Sequence, residues 1–571
     1  MFGKKNLTPV WIGLVALAFR LFNLGSKSLW DDEAATLAMA TMPVAELLPF
    51  MRGYDTHGPI YTLLPKVFGV DFASSEFQFR LVYALTGTAA VVFGYLLFSS
   101  LWGKRAAVFG AVFMALSPLY IQASQEGRLY PILLLFFAIT TWMVAVRAQG
   151  KIAISVFCAV YIFFSICGLH TDLIPFAGCF LFHWLLVYSL RVTRREFCFL
   201  VVSQAISVIL CLPYAMYFFR GDGNMGYSSH LSGQASRIFA SPIDQTMMFV
   251  VTAFRSFHYL FASIPTYFRF LPGTLSTQSS LGGWALLLIG SVLWGYGIAR
   301  MISEKTPVAS QRILRGLGLG VAIGVLGIAL LHGRLDKPMV DSFLFFLPLF
   351  FLGTLLVVSL VGESDYKVRQ RDAILFFVGV PLLFGAKMLV PMDPRHFGLS
   401  FVVVVGLMGK SVSLLFRHKM GRAIVVVLFA WIAVNLFVYF RESVEIYHPQ
   451  GFKEAAAYIA SDLDSRDVIY VDLGWGGFQA VTYYLDKAGF PRDRLVWQNE
   501  RQETNREVEI LVRVEKAAAR KETIRVLALK RLDSEFQNFY RAIGSRCNIE
   551  VRTFGEELLL LTLVPRSVER P

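Results

Sequence analysis

The sequence predicts a polytopic α-helical membrane protein with about thirteen transmembrane helices and a small C-terminal α/β domain outside the cytoplasm. Of its 571 residues, 56% are hydrophobic and only 16% are charged. A soluble protein of this length does not carry such long uncharged runs. Basic residues recur on alternate loops, as in other polytopic membrane proteins. After residue 440 the apolar runs give way to alternating short strands and helices.

Thirteen apolar segments have about the 17–25 residues that span a bilayer. They lie near residues 8–24, 80–99, 106–121, 130–146, 152–168, 173–190, 197–218, 281–299, 316–331, 342–361, 373–390, 397–416 and 423–440. The first is interpreted as an anchor, because no small-residue cleavage pattern of a signal peptide follows it. Residues 1–440 are therefore predicted to form the membrane domain, with long outer loops at about 25–79 and 219–280.

The loops on the two sides of the predicted membrane domain differ in charge. Nineteen basic residues lie in seven segments on one side, while the four short loops on the other side hold only Arg128, Arg334, Lys337 and Arg395. The positive-inside rule then places the N-terminus in the cytoplasm and the C-terminal domain in the periplasm or outside the cell. The net charge of +14 follows from this bias, so a nucleic-acid partner is not indicated.

Residues 441–571 are predicted to form a small sheet with helices on its faces, because strands and helices alternate. Strands are expected at 468–473, 495–498, 524–529, 548–553 and 558–563, and helices at 452–463, 478–486, 506–520 and 535–543. No glycine fingerprint for nucleotides is present.

Three consecutive carboxylates, Asp31, Asp32 and Glu33, follow the first apolar segment. Charged groups are costly to place beside lipid, so such a cluster in a membrane protein indicates a reactive site. The alternative is helix capping, because Ser28 and Asp31 make a capping pattern and acidic side chains favour a helix N-terminus. Both interpretations stay open for Asp31.

The outer loops also concentrate polar residues other than isolated Lys and Arg. These lie in the stretches Asp55-Thr-His-Gly-Pro59, Ser124-Gln-Glu-Gly-Arg-Leu-Tyr130, Gly168-Leu-His-Thr-Asp172, Arg334-Leu-Asp-Lys337 and Asp393-Pro-Arg-His396. The working face is therefore predicted outside the cytoplasm, where ATP and sugar nucleotides are absent. An enzyme there needs a donor that is activated in the cytoplasm and carried across the membrane as a lipid.

Three of these stretches resemble the signature loops of the C-type (GT-C) membrane glycosyltransferases, the superfamily of protein O-mannosyltransferases and lipid A aminoarabinose transferases. They are Leu29-Trp-Asp-Asp-Glu-Ala34, His57-Gly-Pro-Ile-Tyr61 and the segment from Ser117 to Tyr130. The match is strongest over residues 8–190 and weaker at Asp393-Pro-Arg-His396. The β-trefoil insertion of eukaryotic protein mannosyltransferases is absent, which favours the bacterial branch and its inner membrane. Gly58 departs from the pattern, since relatives often have proline there.

The resemblance implies an inverting transfer of a sugar from a polyprenyl-phosphate carrier. It places the catalytic aspartate at Asp32, with Asp31 as the second candidate and Glu33 as the third. Phosphate is a good leaving group, so no strong general acid is needed, unlike in a glycosidase. One carboxylate is enough to accept the proton of the attacking hydroxyl.

The leaving phosphate develops negative charge and needs cations nearby. The candidates are Arg395, Arg128 and Lys337, in that order, together with His57. The alternative for the Arg and Lys side chains is that they anchor helix ends at the lipid headgroups. His57 is equally well explained as a hydrogen-bonded packing residue in an aromatic loop.

Further candidates concern the acceptor and its cavity. Glu126 is a candidate to pair with Arg128 or to orient the acceptor, with an ordinary surface ion pair as the alternative. Tyr61, Tyr130 and His258 are expected to line the cavity, although interfacial tyrosine is common. The His and acidic residues match no metal motif, so no cofactor is expected to be obligatory; a divalent cation is the alternative.

The sequence therefore predicts an integral membrane glycosyltransferase, a hexosyl or pentosyl transferase of the cell envelope. Its expected partners are a polyprenyl-phosphate-linked donor, a glycan, lipid or protein acceptor, and membrane lipids. The first alternative is a lipid-linked oligosaccharide transferase or polymerase. The second is a polytopic transporter or flippase, which usually has two related halves that are not visible here.

Overall fold

The computed structural model describes residues 7–54, 57–219, 365–385, 398–416, 451–462, 469–472, 475–490, 495–497, 524–529, 547–554 and 558–565, and scattered positions between 422 and 440. Within these residues, four helices are long and apolar enough to cross a membrane, or five if one bent pair counts as a single span. The predicted spans near 281–299, 316–331 and 342–361 lie outside the described residues. The count of thirteen helices stays a prediction.

The first apolar helix is followed by a loop that folds into short helices. Helix α1 (Thr8–Leu21) precedes α2 (Asp31–Thr41), α3 (Val44–Tyr54) and α4 (Ile60–Val67). The long loop predicted at 25–79 thus contains three short helices in the described part of the chain. Lys66 at the end of α4 donates hydrogen bonds to the carbonyls of Ala40 and Met42, 3.2 and 2.7 Å away. These bonds close the C-terminal end of α2 and fix α4 beside it.

A bundle of longer apolar helices follows. Its members are α5 (Glu76–Trp102), α6 (Lys104–Leu116), α7 (Pro118–Gln125), α8 (Tyr130–Ala148), α9 (Ile154–Leu169), α10 (Leu173–Ser189) and α11 (Arg194–Phe219). Further along are α12 (Tyr366–Ile374), a π-helical turn (Leu375–Gly379), α13 (Val380–Gly385) and α14 (Gly398–Leu415). Helix α5 packs against α1, α6, α7 and α8. It is therefore the central helix of the described bundle.

The segment predicted as one span near 106–121 is instead broken into α6 and α7, which meet at 56°. Pro118 causes the break, because it has no N–H and disfavours helical backbone at the preceding Ser117. The carbonyls of Met114 and Ala115 are covered by the guanidinium of Arg20, at 3.4 and 3.5 Å. Arg20 is completely buried although it lies in an apolar helix. The arginine therefore satisfies backbone groups that the proline leaves open.

The helix ends opposite the acidic motif are joined by ion pairs. Asp372 has no exposed surface and accepts hydrogen bonds from Lys410 at 2.6 Å and Trp102 at 2.9 Å. Arg147 pairs with Glu196 at 2.6 Å. The first set joins α5, α12 and α14, and the second joins α8 and α11. That the loops next to these helix ends share one side of a membrane stays a prediction.

The C-terminal segment contains a five-stranded mixed sheet. Its strands are β1 (Ile469–Asp472), β2 (Leu495–Trp497), β3 (Ile524–Leu529), β4 (Cys547–Phe554) and β5 (Leu558–Pro565), in the order β2-β1-β3-β5-β4. Strands β2, β1 and β3 are parallel, whereas β5 is antiparallel to both β3 and β4. The five strands lie within about two residues of the predicted ones. The helices predicted at 506–520 and 535–543 lie outside the described residues.

Two described helices accompany this sheet, α15 (Phe452–Asp462) and α16 (Trp475–Lys487). Helix α15 contacts β4 and β5, and α16 packs on α15 and also directly on α2. The C-terminal segment therefore lies on the same side of the molecule as Asp31, Asp32 and Glu33. That this segment is a separate domain outside the cytoplasm stays a prediction.

Candidate active site

The three acidic residues begin helix α2 and occupy its first turn. Trp30 is the extended residue before the helix, and the Asp31 carboxylate accepts the N–H of Asp32 at 2.8 Å. Negative charge is favourable at this end because the first N–H groups of a helix point outward. The alternative of a cap by Ser28 is not observed: Trp30 precedes the helix, and the Ser28 hydroxyl donates to the carbonyl of Leu29 at 3.2 Å. The three carboxylates then diverge in environment.

Glu33 is completely buried and is held by Arg80 of α5. The guanidinium donates two hydrogen bonds to the carboxylate, at 2.8 and 2.6 Å. Its other N–H groups donate to the carbonyls of Leu24, Lys27 and Ser28 at 2.8–3.2 Å. A bidentate pair with this many partners fixes geometry. Glu33, a sequence candidate for catalysis, therefore has the geometry of an anchor for α2.

The turn between α7 and α8 completes the surroundings of Glu33. The N–H of Gly127 donates to the Glu33 carboxylate at 2.8 Å. A Cβ atom at Gly127 would lie 2.1 Å from the ring of Phe79, so no side chain fits there without movement. The glycine thus lets the turn approach α5 closely. The same turn presents Arg128 to α2.

Asp32 is the accessible carboxylate that faces this turn, with 45% of its side chain exposed. Its carboxylate lies 3.4 Å from the guanidinium of Arg128, of which only 9% is exposed. Arg128 also donates to the hydroxyl of Thr36 at 3.2 Å, and Thr36 donates to the carbonyl of Asp32 at 2.8 Å. The half-exposed carboxylate of Asp32 is therefore paired with a nearly buried guanidinium, that of Arg128, which Thr36 also holds. This combination suits a group that must meet a substrate.

Arg128 rests on the ring of Tyr61, whose centroid is 5.4 Å from the guanidinium carbon. Tyr61 is completely buried, and its carbonyl accepts the hydroxyl of Tyr83 at 2.8 Å. The prediction that Tyr61 lines an open cavity is therefore wrong; the ring supports Arg128 by a cation–π contact instead. Tyr130, the first residue of α8, is half-buried at the same turn.

Glu126 also lies inside the protein rather than on its surface. It is 3% exposed and accepts a hydrogen bond from Gln122 at 2.7 Å. Lys27 is buried nearby. Burial and the positive charge of Arg80 lower the pKa of Lys27 to about 8, although the negative charges of Glu126 and Glu33 act to raise it. An ordinary surface ion pair therefore does not describe Glu126. Glu126 thus belongs to a cluster of buried charged residues with Lys27, Glu33 and Arg80.

His57 lies at the start of α4, where the chain passes close to the loop between α9 and α10. Gly58 donates its N–H to the carbonyl of Thr171 at 3.1 Å, and a Cβ there would lie 1.8 Å from the carbonyl oxygen of His170. Glycine instead of proline at this position is thus explained by the hydrogen bond and by the lack of space. His57 is half-buried and contacts the ring of Tyr61 edge-on at 6.3 Å.

Three site candidates lie outside the described residues: Arg395, Lys337 and His258. Their expected roles stay predictions. Within the described part of the chain, no group of three or more His, Cys, Asp or Glu side chains is placed to hold a metal ion. Metal dependence is a question for experiment.

Two residues of the site, Arg80 and Tyr484, were not predicted from the sequence. The signal for Arg80 was present, because it stands at the edge of the apolar segment near 80–99 and a charge at that position needs a partner. The hydroxyl of Tyr484, in α16, accepts the N–H of Leu29 at 2.7 Å, two residues before α2 begins. No local pattern marks a contact between residues 455 positions apart.

Comparison with known proteins gives structural neighbours of low sequence identity. ArnT from Cupriavidus metallidurans in the apo state is 13% identical, with a TM-score of 0.41 over 97% of each chain. ArnT bound to undecaprenyl phosphate is 14% identical, with a TM-score of 0.38 over 98% of this chain and 99% of that chain. The archaeal oligosaccharyltransferase AglB from Archaeoglobus fulgidus, in complex with an inhibitory peptide and a dolichol-phosphate, is 11% identical. Its TM-score is 0.49, over 99% of this chain and 75% of that chain.

No protein-family model and no curated protein matches the chain. The structural neighbours include an aminoarabinose transferase, the group that the motifs of α2, α4 and α7–α8 resemble.

Proposed function

We propose that the protein is a membrane glycosyltransferase that moves a sugar from a polyprenyl-phosphate carrier to a hydroxyl group of a cell-envelope acceptor, on the outer face of a bacterial inner membrane. One observation carries the proposal. The half-exposed carboxylate of Asp32 is paired with the nearly buried Arg128, and the next residue along the helix, Glu33, is fixed by a buried ion pair with Arg80. A fixed backbone and an accessible carboxylate are the requirements for a positioned general base.

In the proposed reaction, Asp32 accepts the proton of the acceptor hydroxyl as its oxygen attacks the anomeric carbon. The bond between that carbon and the carrier phosphate breaks, and the phosphate leaves with the electron pair. A single displacement of this kind inverts the anomeric centre. General-base assistance contributes on the order of 10²–10⁴-fold to the rate. Asp31, whose carboxylate accepts the N–H of Asp32, is assigned the role of holding the start of α2.

Arg128 is proposed to orient Asp32. In a single displacement the base and the leaving group lie on opposite sides of the anomeric carbon, so a side chain in contact with the base lies on the acceptor side. The guanidinium is 3.4 Å from the Asp32 carboxylate. Arg395 and Lys337 are then the proposed ligands of the leaving phosphate, with His57 beside the site as a further candidate.

The buried Glu33 is proposed to act through Arg80 as an anchor. The pair ties α2, α5, the segment before α2 and the α7–α8 turn to one another. The base and the turn that carries Arg128 thus share one rigid support. Preorganisation of this kind preserves catalytic geometry during reaction.

Deletion of the gene tests the proposed function. Mass spectrometry of envelope glycans, lipids and glycoproteins is expected to show the loss of one sugar mass from one acceptor class, and polyprenyl-phosphate lipids should gain a species carrying that sugar. Reintroducing the wild-type gene should reverse both changes. Loss of a whole oligosaccharide together with sensitivity to EDTA would instead indicate the oligosaccharide transferase. Unchanged glycans and lipids in the deletion strain would remove the transferase proposal.

A further inference from the structure

The C-terminal helix α16 holds the two elements that carry the candidate site. The hydroxyl of Tyr484 accepts the N–H of Leu29, two residues before α2, at 2.7 Å. Leu29 is completely buried, and 6% of Tyr484 is exposed. The preceding residue, Tyr483, donates its hydroxyl to the carbonyl of Ser74, two residues before α5, at 2.8 Å. Two adjacent tyrosines thus contact the starts of two different helices.

Charge strengthens the second contact. Lys487, one turn after Tyr483, lies 3.5 Å from the carboxylate of Glu76, the first residue of α5. Arg80 lies one turn further along α5 and binds Glu33. The position of α5 therefore sets the position of the anchor under α2 as well.

The contact at Leu29 bears directly on Asp32. Leu29 is three residues before Asp32, and the chain between them contains only the extended Trp30 and the first residue of α2. A buried N–H that loses its acceptor costs free energy, so the segment moves to find another partner. Burial raises the pKa of Tyr484, which keeps its hydroxyl protonated at neutral pH.

We propose that Tyr484 is a positioning residue: the C-terminal segment acts on the reaction by fixing Leu29, and through it the Asp32 carboxylate, from outside the membrane helices. This inference rests on the proposed function. It gives the C-terminal segment a role in turnover without placing any of its groups on the substrate.

The test uses the full-length protein with Tyr484→Phe, which removes the hydroxyl and keeps the ring. Hydrogen exchange of the Leu29 amide should become faster by about tenfold, as expected for an amide that loses its acceptor. Transfer should be measured with polyprenyl-phosphate lipids extracted from the deletion strain. We expect kcat to fall by about tenfold or more, because a misplacement of about 1 Å costs on the order of 10²-fold, while KM for the donor stays unchanged. Tyr188→Phe, at a tyrosine that is 71% exposed on α10, is the matched control.

An unchanged rate of Leu29 exchange would overturn the inference, and so would faster exchange with wild-type kcat. If Tyr484→Phe does not accumulate, Tyr484→Met fills similar space without a strong acceptor and is read in the same way. Asp32→Asn runs in parallel. If it transfers sugar at the wild-type rate, the proposed function fails and the inference falls with it; if it is inactive while Tyr484→Phe has wild-type kcat, only the inference fails.

Discussion

At the scale of single residues, three neighbouring carboxylates have three different environments. Asp32 is 45% exposed on its side chain and Glu33 has no exposed surface, although both lie in the first turn of one helix. The Asp32 carboxylate is therefore accessible for proton exchange, whereas the Glu33 carboxylate is enclosed by protein groups. Function at this site depends on which neighbour each side chain faces.

Glu33→Ala is expected to destabilise the protein. Breaking a buried ion pair leaves the Arg80 charge uncompensated, which costs about 3–5 kcal/mol. The thermal midpoint of the purified protein in detergent should therefore fall clearly. Glu46→Ala, at an exposed carboxylate in the first turn of α3, is the control and should leave the midpoint unchanged. Equal midpoints for Glu33→Ala and wild type would contradict the anchor role.

Arg128→Lys separates orientation of the base from binding of the phosphate. Lysine keeps the positive charge but loses the planar fork that contacts Asp32 and Thr36 together. An orienting role predicts that kcat falls by about tenfold while KM for the extracted lipid donor stays the same. A raised donor KM with an unchanged kcat would instead assign Arg128 to uniform binding of the donor.

At the scale of elements, the site depends on breaks and close approaches. Pro118 ends α6 and lets α7 turn by 56°, so that the following turn reaches α2. Gly127 within that turn donates to Glu33 and leaves room for Phe79. Pro118 and Gly127, which have no reactive side-chain group, therefore determine the course of the chain at the α7–α8 turn.

Gly127→Ala tests this turn. A methyl group 2.1 Å from the Phe79 ring forces the turn or the ring to move, and overpacking of this kind costs about 1–3 kcal/mol. We expect a lower thermal midpoint and reduced transfer, since the Gly127 N–H leaves Glu33 and Arg128 moves with it. Gly398→Ala is the control, because its nearest neighbour would be Tyr120 at an ordinary 3.7 Å. A wild-type thermal midpoint and wild-type transfer for Gly127→Ala would contradict this prediction, because the turn would then accommodate the methyl group without moving.

The sequence predicts local structure better than it predicts contacts. Apolar runs and strand alternation place most of the described elements, because burial and backbone pairing leave a periodic pattern. The pattern marks the acidic cluster Asp31–Glu33 after the first apolar segment, but it cannot show that Glu33 faces Arg80 or that Tyr484 reaches Leu29. Those contacts join residues 47 and 455 positions apart and depend on how helices pack.

At the scale of the whole molecule, charge and architecture agree. A buried ion pair and a half-buried one join the helix ends opposite the acidic motif, whereas α16 lies against α2 on the side of Asp32. Because α16 contacts α2, the acidic motif and the C-terminal segment lie on the same side. If the acidic motif is outside the cytoplasm, as proposed, the C-terminal segment is outside as well.

The most direct measurement is the amount of transferred sugar, determined by mass spectrometry in the deletion strain carrying Asp32→Asn at wild-type protein level. Glu46→Gln, which changes an exposed carboxylate in the first turn of α3, is the matched control. We expect a loss of at least about 100-fold for Asp32→Asn, from the lower bound of general-base catalysis, and wild-type levels for Glu46→Gln. Wild-type levels of transferred sugar in the Asp32→Asn strain would contradict it.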